Sequence, residues 1–149
     1  VLRFLAFSMS SPKDYKEDIF DQFLNNAMSV ANKMDEKDLD KYSQLFKRSM
    51  NASIEIFGRD AFRKRYEVNS ARHPINKALF EAWSVNLGLL NETDLKNLSI
   101  NKKSLISRFI DLMQDKEFEA SISQGTGSVR RVRLRFEEIR KIIQKELQC

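Results

Sequence analysis

The chain has 149 residues, a net charge of +5, 42% hydrophobic residues and 32% charged residues. That length fits one compact domain, and eleven phenylalanines against four glycines and two prolines argue against extensive disorder and against a turn-rich, many-stranded sheet. One cysteine, Cys149, and one histidine, His73, exclude an internal disulfide and the usual transition-metal sites, and suit a reducing, cytoplasmic setting.

Residues 2–9 read as the stub of a buried helix, ended at Ser11-Pro12. The spacing of Ile19, Phe20, Phe23, Leu24, Ala27, Met28, Ala31 and Met34 predicts a long helix over about 14–34. Asp35 is placed to cap the next helix, with Glu36 and Asp38 in its first turn and Gly58 at its far end. A short helix is expected over 59–65, then an irregular stretch ending at Pro74. A strongly apolar helix follows over about 75–90. Shorter helices are expected after Asn91, from Asn101 or Lys102, and over 116–124. Gly125-Thr126-Gly127-Ser128 breaks the chain before a last helix, although Val132–Phe136 alternates enough to suggest a short strand. The expected architecture is all-α, a single irregular bundle of about seven or eight helices over 1–149, with a long N-terminal helical hairpin. No apolar run approaches the length of a membrane span.

The positive charge is concentrated. Residues 59–73 carry +3, through Arg59, Arg63, Lys64, Arg65 and Arg72 against Asp60 and Glu67, and residues 124–149 carry +4. Such clusters fit either a polyanion partner or two solvated faces. The more pointed feature is Gly125, Thr126, Gly127 and Ser128, followed by Arg130, Arg131, Arg133 and Arg135. Free N–H groups at a helix start favour anions, glycines permit close approach, and guanidinium groups bind phosphate, which describes a nucleotide or DNA-backbone contact. The same residues equally describe a glycine turn with a serine cap and surface arginines. Arg130 and Arg133 lie one turn apart and Arg131 and Arg135 form a second row, so the four cannot all face one phosphate.

No catalytic residue is assigned. His73 lies in a charged loop with no nucleophile motif, no phosphate-binding or dinucleotide fingerprint is present, and Asp35, Glu36, Asp38 and Asp40 point different ways around a helix rather than toward a metal.

Three ordered stretches nonetheless carry a resemblance. They are Leu2–Phe7 leading to Phe23–Met28, then Phe57–Arg63 leading to Pro74–Ala82, then Phe118–Thr126 leading to Val132–Phe136. Together they resemble the C-terminal helical half of the domain-of-unknown-function 262 family, which forms the N-terminal part of GmrSD-type modification-dependent restriction endonucleases. The resemblance implies anti-phage defence in bacteria. It implies that the chain is a C-terminal piece of a longer protein, whose N-terminal half binds and hydrolyses a nucleotide, with magnesium, through an Asp-Gly-Gln-Gln-Arg type motif. Some members add an HNH nuclease domain. Neither motif stands in this sequence, so no cofactor is assigned to the chain itself. The implied partners are the nucleotide-binding half, DNA, and a nuclease domain or subunit. The alternative is a structural or protein-interaction module that touches neither nucleotide nor nucleic acid.

Overall fold

A computed structural model describes residues 1–16 and 19–148. Among them are eight α-helices: α1 (Leu2–Met9), α2 (Phe20–Ala31), α3 (Glu36–Phe57), α4 (Lys77–Gly88), α5 (Glu92–Ile100), α6 (Lys102–Met113), α7 (Lys116–Ser123) and α8 (Val129–Leu147). One 3-10 turn, Gly58–Asp60, follows α3. The all-helical bundle expected from the sequence is what the chain forms. Cys149 lies outside the described residues.

Side-chain caps set several helix starts. Asp35 accepts the Asp38 N–H at 2.8 Å, Asn76 the Leu79 N–H at 2.9 Å, Asn91 the Asp94 N–H at 2.8 Å and Asp115 the Phe118 N–H at 2.8 Å. Each satisfies a donor that has no partner within its own helix.

The centre of the fold is α4, packed against α1, α3, α7 and α8. Ten of its residues, Ala78, Leu79 and Glu81–Gly88, are buried, so it is enclosed on all sides. Its buried polar groups are tied down. The Ser84 carbonyl accepts the Ser49 hydroxyl at 2.5 Å, and Asn86 donates to the carbonyls of Ala82 and Phe136. Two aromatic clusters flank it. Phe57, Trp83 and Phe109 meet edge to face on one side, and Phe7 gathers Tyr15, Phe20, Phe23 and Phe136 on the other. A second buried carboxylate, Glu146 on α8, accepts from Ser104 and Arg108 of α6, both at 2.8 Å.

Four local expectations are revised. The helix expected over 14–34 is confined to Phe20–Ala31, because the chain turns after Pro12 and sends Tyr15 into the core, where it is 2% exposed. The long N-terminal hairpin is replaced by two separate pairings, α2 on α1 and α3 on α4. Residues 59–65 are not a helix. A 3-10 turn is followed by a bridge between Arg63 and Ile75 that closes a 61–76 loop, with the Asn76 N–H on the Phe62 carbonyl at 2.8 Å. Val132–Phe136 is helical, because Val132 and Phe136 also belong to the longer 3.6-residue stripe of α8.

Candidate functional site

The Gly125–Ser128 turn joins α7 to α8 and packs against the segment before α2. Gly125 has φ +47°, a left-handed conformation in which a Cβ would stand 2.7 Å from Nη1 of Arg131. Gly127 lies against Phe20, where a Cβ would come 2.7 Å from the Phe20 Cβ. Gly127 is therefore required by close packing on Phe20, and Gly125 by its left-handed backbone.

The carbonyl oxygens of this turn point toward the chain's own donors. Arg131 donates to the Gln124 carbonyl and the Ser128 N–H to that of Gly125 at 3.1 Å. Arg135 Nη1 donates to Thr126 at 2.7 Å, and the Tyr15 hydroxyl donates to Gly127 at 2.7 Å. All four consecutive carbonyls from 124 to 127 are satisfied, two of them by arginines that the sequence offers to an anion.

Arg135 is fully buried, and its other guanidinium arm pairs with the equally buried Glu81 of α4. The second Glu81 oxygen accepts from Arg3 of α1 at 3.1 Å, and Arg3 in turn lies over the Phe20 ring at 4.5 Å. Burial raises the Glu81 carboxyl above its ordinary range, opposed by the charges of Arg135 and Arg3. Burial also lowers the Arg135 guanidinium, opposed by Glu81. One buried carboxylate thus ties α1, α4, α8 and the glycine turn together.

The remaining arginines of this segment diverge. Arg130 pairs with Glu117 of α7 at 3.0 Å on the open surface, and Arg133 donates to the Tyr15 carbonyl at 3.1 Å. Ser128 is the N-cap residue of α8, but its side chain makes no capping bond, and the first intrahelical bond runs from Val132 to Ser128. The amides of Val129, Arg130 and Arg131 thus have no partner within the helix. A small hollow beside them is lined by Arg130, Arg131 and Ser128, and also by Glu117, which pairs with Arg130.

The second basic stretch holds the 61–76 loop in shape. Arg63 donates to the carbonyls of Arg59 and His73, Arg65 to Val68, and Arg72 pairs with Asp60 at 3.4 Å. Arg59 itself is exposed. His73 lies edge-on to Tyr66 at 5.4 Å. Lys64 reaches α7, pairing with Glu119 at 2.7 Å and donating to Ser123 at 2.6 Å, while Tyr66 donates to Glu119 at 3.2 Å. Both basic stretches therefore meet α7, but Lys64 uses Glu119 and Arg130 uses Glu117. Two residues along a helix are about 200° apart around its axis, so the stretches do not merge into one face.

The Glu119 contact gives a pH prediction. The Lys64 and Ser123 hydrogen bonds hold the Glu119 carboxyl below its usual range. Its stabilising contribution is therefore complete above the ordinary carboxylate range and is lost as pH falls through the lowered value. Hydrogen-exchange protection of the Arg63 and Asn76 amides, bonded to the Asp60 and Phe62 carbonyls in this loop, is expected to fall below about pH 4 relative to the intrinsic rate at each pH, earlier than in the α4 core. A Glu119→Gln protein with the same acid response would contradict this assignment.

Among the described residues no three His, Cys, Asp or Glu side chains converge as a metal site, and no helix is long and apolar enough to cross a membrane. Two surface clefts were not anticipated from the sequence. The larger, about 1090 Å³, runs between α3 and α5, with Lys41, Lys47, Arg48 and Lys96 along it. The smaller, about 500 Å³, lies where the turn after α1 meets the end of α4 and the middle of α8. Compared with models of known families, with curated proteins and with solved structures, the chain matches none.

Proposed function

We propose that this chain is a helical accessory module, a structural and protein-interaction domain of a larger assembly, in which the Gly125–Arg135 segment is an internal joint and not a phosphate receptor. One observation carries this reading. The arginines of the segment turn to groups of the chain itself, Arg131 to the Gln124 carbonyl, Arg130 to Glu117, and Arg135 to the Thr126 carbonyl and the buried Glu81. An arginine committed to a buried carboxylate and a backbone carbonyl has little left to offer a phosphate.

The resemblance to the helical half of the domain-of-unknown-function 262 family supplies the wider setting. On that reading the assembly is a bacterial, cytoplasmic, nucleotide-dependent restriction system. The nucleotide and its magnesium belong to the other half, and DNA cleavage to a nuclease domain or subunit. The chain's part is to brace and present that machinery.

Titration with a short DNA duplex across salt tests the reading. A domain of this charge is expected to bind DNA weakly and non-specifically at low salt and to lose that binding as salt rises. The Arg130→Ala, Arg131→Ala double variant is expected to lose no more of it than Lys102→Ala, Lys103→Ala, which removes the same charge from another exposed face. A clearly larger loss in the arginine variant would overturn the proposal.

A further inference from the structure

The cleft of about 500 Å³ is bounded by three segments far apart in sequence. The turn after α1 contributes Lys13, the end of α4 contributes Val85, Asn86 and Leu89, and α8 contributes Arg133, Phe136, Glu137 and Arg140. Its walls are apolar and its rim is charged, the combination that ligand clefts of this size use.

The charges have an orderly arrangement. Arg140 grips Glu137 through two nitrogens, at 2.5 and 3.0 Å. Those bonds hold the Glu137 carboxyl below its ordinary range, and the charge of Lys13 contributes. Glu137 therefore stays ionised and is neutralised by Arg140. Two cations, Lys13 and Arg133, remain without an ion-pair partner among the described residues. Arg133 spends one N–H on the Tyr15 carbonyl and is otherwise exposed.

Asn86 adds a directional group. It is 8% exposed, and its amide hydrogens go to the carbonyls of Ala82 at 2.9 Å and Phe136 at 3.1 Å. That spends both donors and fixes the orientation of the amide. The Oδ1 atom accepts no hydrogen bond among the described residues, at a position lining the cleft. With both amide donors spent, the Oδ1 is an oriented acceptor open to the cleft beside apolar walls, a place that suits a ligand N–H. Leu89, 73% exposed, is an apolar side chain held out at the same mouth.

We infer that this cleft is a binding site for a heteroaromatic organic phosphate of mononucleotide size. Its flat body lies against Phe136, Val85 and Leu89, a ring N–H or amino group donates to Asn86, and its phosphate sits between Lys13 and Arg133. The site is separate from the glycine turn and does not depend on the accessory-module reading.

The test is a titration of the isotopically labelled protein with adenosine, guanosine and uridine monophosphates, with adenosine and inorganic phosphate as partial ligands. At least one monophosphate is expected to shift the amides of Val85–Leu89 and the Asn86 side chain saturably, with either partial ligand at least about tenfold weaker, since each lacks one of the two anchoring contacts. Lys13→Glu and Leu89→Asp, both at exposed positions, are each expected to weaken that binding about tenfold while leaving the melting temperature unchanged. The inference is overturned if no monophosphate shifts these residues at millimolar concentration. It is equally overturned if phosphate alone binds as well as the nucleotides, or if neither variant changes the affinity.

Discussion

Arg135→Ala is expected to destabilise the protein by about 3–5 kcal/mol, the cost of breaking a buried ion pair from one side. The substitution leaves Glu81 enclosed with only the half-exposed Arg3 to balance it, and removes the donor to the Thr126 carbonyl. It also opens a void beneath a fully buried side chain. Urea unfolding would show the loss as a lower midpoint at unchanged slope. The double variant Glu81→Leu, Arg135→Met is expected to be more stable than Arg135→Ala, because well-packed apolar groups can replace a buried pair at little cost. Recovery should fall short by about 1–3 kcal/mol, since the Thr126 carbonyl still lacks its donor. If Arg135→Ala cost under about 1 kcal/mol, the buried tether would not hold the fold as described.

Phe7→Ala is expected to cost about 3–5 kcal/mol, the usual range for removing an enclosed phenylalanine. Phe7 is 2% exposed and its ring meets Tyr15, Phe20, Phe23 and Phe136 at centroid distances of 4.8–6.1 Å. It is the point where α1, α2, α8 and the intervening turn converge. The void would fall under Phe20, which packs on Gly127, so the glycine turn should loosen as well. Protease sensitivity around residues 124–128 is expected to rise together with the loss of stability. A Phe7→Leu protein, which keeps most of the volume, should lose substantially less.

The helices were largely legible. Asp35 and Asn91 precede apolar periodicity as caps should, Gly58 follows the end of α3, and the density of apolar residues over 75–90 marks the central helix. The segment before α2 was not legible. Tyr15 continues no helical stripe, and its burial depends on a hydroxyl bond to Gly127, 112 residues away. The fates of the basic residues were also hidden, because which carbonyl or carboxylate each one meets is decided by tertiary packing. Arg135 is the partial exception. It stands three residues after Val132 and four before Ile139, on the stripe that also holds Phe136, Ile143 and Glu146. A charged residue on a mostly apolar stripe signals a buried partner, as it does for Glu146 with Ser104 and Arg108. The pairing of Arg131 with Arg135 in one row was also visible, and it is this row that turns back onto the glycine turn. The nucleotide-sized cleft gave no such signal, since Lys13, Asn86 and Arg140 belong to three separate segments.

The central claim is that the start of α8 closes on the chain's own turn and takes no phosphate. It is tested most directly by titrating the labelled protein with magnesium ATP at low salt while following the amides of Val129, Arg130 and Arg131. The expected result is that these three amides stay in place, even if residues 85–89 respond. Saturable shifts at Val129–Arg131 that vanish in Arg131→Ala would contradict it, and would make the glycine turn a phosphate site after all.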